Sequence, residues 1–125
     1  MEYDLVKALV VVAHGSRRAA SNDEVRELAC ALAGMLSDVF PIVEVGFLEL
    51  AEPLIPAALE RVIAAGATDI SVFPYFLSAG RHVVTDVPEE VKTVQEKYPQ
   101  LSIKMLTHLG ASSGFTQFIA QALKA

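Results

Sequence analysis

At 125 residues the chain has room for one domain, 1–125, built around one sizeable core. A net charge of -5, a pI of about 5.1 and no basic run denser than Arg17-Arg18 disfavour a nucleic-acid surface, which rests on clustered Lys and Arg. No stretch approaches the ~18 apolar residues of a membrane span, and the N-terminus, acidic before it is apolar, lacks the shape of a secretory leader.

Hydrophobic residues make up 53% of the chain and the mean hydropathy is +0.42, which is apolar for so small a soluble protein. A parallel sheet covered on both faces would absorb much of that excess, and a subunit interface the rest. The lone Cys30 falls inside a predicted helix, where a free cysteine is ordinarily a small core residue. With no second cysteine to pair, a reducing, cytoplasmic setting is expected.

In chain order, the β-branched run Ala8–Ala13 predicts a fully buried first strand, and His14-Gly-Ser-Arg-Arg18 a loop after it. Ser21 or Asn22 is placed to cap a helix that continues over 24–36, with Val25, Leu28, Ala29, Leu32 and Leu36 at helical spacing. A second strand follows over Ile42–Leu48, with Glu44 facing solvent at an edge. The next helix begins at Pro53, runs to Ala65 and closes on Gly66. The third strand is Ile70–Phe76, irregular at Pro74. The loop Leu77–His82, a helix over Val87–Lys97, a fourth strand Leu101–Leu106, a loop with His108 and Gly110, and a last helix over 113–123 complete the chain. This strict alternation predicts an α/β fold: an open four-stranded parallel sheet with right-handed crossovers, flanked by helices, binding its ligand beyond the carboxyl ends of the strands.

That topology gathers the residues able to do chemistry. His14, Glu49, His82 and His108 each follow a predicted strand, so all four are expected at one edge of the sheet, and the chain has no other histidine. Two imidazoles and a carboxylate suit a loosely held first-row divalent metal with open positions, and a metal-free imidazole accepts a proton near neutral pH. Against this stands the bland alternative of solvated or hydrogen-bonded loop histidines, which is the main expectation for His108. In the segment after the third strand, Gly80 allows close approach of a flat ligand, and Arg81 suits either a substrate carboxylate or plain solvent. Phe47 and Phe73 are expected in the core, with Tyr75 or Phe76 lining an apolar cleft. The Gly15-Ser16 loop also invites a phosphate-binding reading, though neither a dinucleotide nor a P-loop pattern follows. A Ser16–His14 nucleophile pair lacks both the elbow motif and an orienting acid.

The motifs Val-Val-Ala-His14-Gly-Ser-Arg17, Gly46-Phe-Leu-Glu49 and Pro74-Tyr-Phe-Leu-Ser-Ala-Gly-Arg-His82-Val, in this order and spacing, resemble the small CbiX-type sirohydrochlorin chelatases of the class II tetrapyrrole chelatase family. The resemblance covers nearly the whole chain. It implies half of a two-lobed chelatase-like α/β fold, working as a homodimer. The implied activity is insertion of a divalent metal, Co2+ or in relatives Fe2+ or Ni2+, into sirohydrochlorin for cobalamin or sirohaem synthesis, with the metal as substrate and no permanent cofactor. It implies His14 as metal ligand and proton acceptor, His82 as the second ligand, Glu49 as a catalytic or substrate-contacting carboxylate, and Leu77, Ser78, Ala79, Gly80, Arg81 and His82 as the substrate-binding segment. A non-catalytic metal or tetrapyrrole carrier would use the same residues. Independently of the resemblance, a small apolar domain wants a partner surface, and a tetrapyrrole exceeds what a cleft on one such domain readily encloses.

Overall fold

The computed structural model describes residues 5–125, with His82 described by its backbone alone. Residues 1–4, on which the reading of the N-terminus partly rests, lie outside the described residues. The elements are β1 (Lys7–Ala13), α1 (Ala19–Met35), β2 (Ile42–Phe47), α2 (Ile55–Ala64), β3 (Asp69–Pro74), α3 (Val87–Lys97), β4 (Ser102–Met105) and α4 (Phe115–Lys124). A π-helical turn, His82–Asp86, leads into α3, and a 3-10 turn, Leu109–Ala111, precedes α4. The strands form one parallel sheet, as the alternation predicts, in the order β2-β1-β3-β4.

β1 is central, so both its faces are covered, and every residue from Ala8 to Ala13 is buried. Side chains alternate across a strand. Ala8, Val10 and Val12 therefore pack with Ile55, Leu59 and Val62 of α2 and Val87, Val91 and Val94 of α3 on one face. Leu9, Val11 and Ala13 pack with Ala29 of α1 and with Val45 and Phe47 on the other. Each valine, leucine or isoleucine among them contributes roughly 1.5–3 kcal/mol on full burial. The outer strands β2 and β4 are edges, as expected for the strand that carries Glu44. No helix among the described residues is long and apolar enough to cross a membrane.

Several boundaries differ from the sequence expectation. α1 starts at Ala19, with Arg18 at the N-cap and no side-chain cap, so neither Ser21 nor Asn22 caps it. Asn22 is buried in the first turn and serves the preceding loop instead. Cys30 is exposed, not a core residue. It follows Ala29, which is turned to the sheet, and one helical step of 100° carries it outward. Pro53 lies ahead of α2, after a cis Glu52–Pro53 peptide, and its carbonyl accepts the Phe47 N–H at 2.9 Å. Pro56 takes the first turn of that helix. Pro74 ends β3 opposite Val12, a terminal position where the missing N–H does least harm.

α4 stands apart from the rest. Phe115, Phe118, Ile119, Ala122 and Leu123 share one face at helical spacing. Yet none of its residues is buried, and Phe118 and Leu123 are 68% and 80% exposed. Between the start of α4 and the body of the domain runs an apolar groove of about 510 Å³, walled by Leu28 and Leu32 of α1, by Phe73 and Tyr75, and by Phe115 and Phe118.

Candidate active site at the strand ends

His14 is the first residue beyond β1 and is exposed there. The β1–β2 pairing carries on past the strands: Leu48 N–H donates to the Ala13 carbonyl at 3.0 Å, and Glu49 N–H to the His14 carbonyl at 3.1 Å. Gly15 follows with φ +93°, and a Cβ there would overlap the Glu49 carbonyl oxygen. Only glycine allows both the positive φ and the close approach. His14 and Glu49 are thus joined through the backbone.

The remainder of the first loop is held by Asn22. Its Oδ1 accepts the Ser16 N–H at 2.9 Å, and its Nδ2 donates to the Ser16 carbonyl at 2.8 Å. The Ser16 hydroxyl oxygen in turn accepts the Arg18 N–H at 3.0 Å. These bonds bear on the two rival readings of this loop. The Ser16 and Arg18 amides that an anion would need are already committed, and the Ser16 hydroxyl serves the loop as a backbone acceptor.

Glu49, just after β2, is exposed and lines a cleft of about 210 Å³ with Leu48, Asp86, Glu89 and Glu90. The end of the second strand therefore meets the start of α3 across a strongly acidic opening. The segment after β3 begins at Tyr75, whose N–H donates to the Val12 carbonyl at 2.8 Å. Leu77, Ser78, Ala79, Gly80 and Arg81 are all exposed, and Arg81 enters the helical turn that His82 continues. The Gly80 carbonyl accepts the amides of Val83 at 3.1 Å and Val84 at 3.0 Å. Pro88 has no N–H to close an α-type turn onto Val84, and the chain runs through a wider π turn at this point.

Phe47 is fully buried and Phe73 partly so, both against the α1 face, while Phe76 packs on the opposite core. Of the aromatics expected at a cleft, Tyr75 lines the apolar groove. His108 has a local structural role, in that its carbonyl accepts the Ala111 N–H and the Ser112 hydroxyl, each at 3.1 Å, at the start of the 3-10 turn.

The structure thus brings His14 and Glu49 together directly. It sets the segment 77–81 after the strand adjacent to β1 and keeps His108 in a separate turn. Among the described residues no three His, Cys, Asp or Glu side chains gather at metal-holding distance, and the His82 side chain lies outside that description. Sequence reasoning missed Asn22 as the loop's clamp. A buried Asn six residues from its partner leaves no local signature beyond its polarity.

Comparison with known proteins gives a consistent picture. A family model described as CbiX matches residues 8–125. The sirohydrochlorin cobaltochelatase of Methanocaldococcus jannaschii is 39% identical over 95 residues, covering 74% of this chain and 64% of that protein. The sirohydrochlorin ferrochelatase of Priestia megaterium is 40% identical over 102 residues, covering 82% of this chain and 38% of that protein. Among solved structures, the sirohydrochlorin chelatase SirB from Bacillus subtilis subspecies spizizenii, in complex with cobalt, superposes with a TM-score of 0.85 at 29% identity, covering 96% of this chain and 50% of SirB. The chain therefore spans only part of the length of these relatives, and half of SirB.

Proposed function

The chain belongs to the CbiX family, and on that footing we propose that it is a sirohydrochlorin chelatase that inserts a divalent metal ion, Co2+ first and Fe2+ or Ni2+ as alternatives, into the macrocycle. The observation that carries the proposal is the backbone junction of His14 and Glu49 at the end of the central strand. It sits beside the strand that leads into the segment 77–82. Relatives matched over most of this chain include both cobalto- and ferrochelatases, which supports the reaction class and leaves the ion open.

The reaction exchanges two pyrrole N–H protons of the macrocycle for one divalent cation. His14, with His82, holds the incoming metal in transit, and the ring nitrogen it frees when the metal passes to the macrocycle takes up a pyrrole proton. An open site of this kind suits a metal that is substrate, because the ion must leave with the product. Glu49 contacts the substrate edge or relays the second proton toward the acidic cleft. Residues 77–82 contact the macrocycle, with Arg81 available to a carboxylate of the substrate.

The working unit we propose is a homodimer. This chain matches half of the length of SirB. This chain also carries both a groove and an uncovered helix of matching character, the self-complementary pair that a two-fold interface needs. The proposed location is the cytoplasm, where the exposed Cys30 stays reduced.

The test is anaerobic insertion of Co2+, Fe2+ and Ni2+ into sirohydrochlorin, followed by absorbance and compared with the uncatalysed rate. The expected result is multiple turnover by the wild type and a return to the spontaneous rate in His14→Ala with unchanged far-UV circular dichroism. Full activity in His14→Ala would sink the assignment. Stoichiometric uptake without turnover would identify a carrier.

A further inference from the structure

We infer that Gly110 is a positioning residue for the segment 77–82, its missing side chain being what lets the turn after β4 lock against the Leu77 backbone. After β4 the chain returns across the strand ends: Leu106 N–H donates to the Val72 carbonyl at 2.8 Å, and Gly110 N–H to the Phe76 carbonyl at 3.0 Å. A Cβ on Gly110 would overlap the Leu77 carbonyl oxygen and lie 3.0 Å from the Leu77 Cα. These are backbone atoms, which cannot rotate aside as a side chain can. The φ of Gly110 is not in the left-handed region, unlike that of Gly15. The requirement at 110 is therefore one of space alone.

The turn that carries Gly110 is itself braced. Ala111 N–H and the Ser112 hydroxyl converge on the His108 carbonyl, and Ser112 N–H donates to the Leu109 carbonyl at 3.0 Å. A braced turn transmits a displacement instead of absorbing it. The segment 77–82 is thus anchored at Leu77 by Gly110 and at its far end by the Gly80 carbonyl, with the exposed Ser78 and Ala79 between. A methyl at 110 forces the two backbones apart and moves the origin of the segment relative to His14. A misplacement of about 1 Å at a reacting site costs on the order of a hundredfold in rate.

The inference rests on the proposed role of 77–82, and the experiment separates the two. Co2+ affinity and the kcat and KM for sirohydrochlorin are measured in Gly110→Ala, in His82→Ala and in Gly34→Ala, the last a control on α1 with open space around it. Expected are a tenfold or greater loss of Co2+ affinity and a fall in kcat in Gly110→Ala, with Gly34→Ala unchanged. Wild-type affinity and kinetics in Gly110→Ala overturn the inference. If His82→Ala leaves Co2+ affinity unchanged, the ligand reading fails, and Gly110 is then judged by the KM for sirohydrochlorin, which must rise. Should Gly110→Ala not fold, hydrogen exchange in the wild type decides. Metal binding and closure of this contact are reciprocal, so the Gly110 amide must exchange more slowly with Co2+ present, and an unaltered rate overturns the inference.

Discussion

The Glu49 N–H donates to the His14 carbonyl at 3.1 Å, so the carboxylate at the end of the edge strand and the imidazole at the end of the central strand move as one piece of backbone. Gly15, φ +93° and in contact with the Glu49 carbonyl, makes that junction possible. Gly15→Ala is expected to cost about 2 kcal/mol in backbone strain. By parting the two loops it should also lower kcat/KM for insertion by roughly a hundredfold. Denaturant unfolding and steady-state kinetics on the same preparation check both. A variant that loses stability but keeps its kinetics would show that the junction does not serve the reaction.

Asn22 holds Ser16 through two hydrogen bonds from a buried position. Asn22→Ala leaves a peptide N–H and a carbonyl without those partners, at a cost of about 1–3 kcal/mol. For a domain of this size that is a fall in Tm of roughly 3–18 °C. Asn22→Asp keeps the acceptor for the Ser16 N–H but sets a buried carboxylate oxygen against the Ser16 carbonyl, so its Tm should fall at least as far as that of Asn22→Ala. Calorimetry of the three proteins orders them.

The proposed homodimer makes a prediction at α4. Phe118, Ile119 and Leu123 are 68%, 41% and 80% exposed in the lone chain. Burying an aromatic or aliphatic side chain contributes about 1.5–3 kcal/mol, and two-fold symmetry counts each twice. Phe118→Asp should therefore weaken self-association by about a hundredfold or more while leaving the monomer's far-UV spectrum unchanged. Sedimentation velocity across a dilution series reads this out. A wild type that stays monomeric at high concentration would remove the dimer.

Away from the site, the Tyr98 hydroxyl donates to Glu60 Oε1 at 2.6 Å. That hydrogen bond, with desolvation and the nearby carboxylate charge acting the same way, raises the phenol pKa above its usual 10.0. The unfolded chain then releases its proton first as pH rises. This contribution to stability is intact below pH 10.0 and is lost progressively above it, until the folded phenol also ionises. Urea midpoints measured from pH 8 upward should fall at the alkaline end in the wild type, and the fall should be shallower in Tyr98→Phe.

The apolar strand β1, the alternation of strands and helices, the helix at Val87–Lys97 and the gathering of His14 and Glu49 at one edge were legible because each depends on local pattern or on the rule that parallel strands share a direction. Gly15 and Gly110 illustrate what was not. Both stand in sequence as ordinary loop glycines, and only the approach of Glu49 to one and of Leu77 to the other gives them their meaning. The start of α1 at Ala19 was missed because a polar residue in a first turn looks like a cap, whereas Asn22 turns back to Ser16. Cys30 was misplaced because a free cysteine is ordinarily buried, whereas the stripe through Leu28, Ala29 and Leu32 leaves position 30 on the outer side of the helix.

The uncovered face of α4 has one further consequence. Because none of residues 115–124 is fully buried within its own chain, they contribute less than the buried strands and helices to whether a single chain folds. That outcome is decided in β1 and the helices packed on it. Folding and assembly are thereby separable traits, governed by different residues. In the dimer proposed above, changes along α4 leave a lone chain's melting behaviour as it was. They alter how activity per molecule declines on dilution, so the output of the proposed chelatase depends on its own abundance as well as on its substrates.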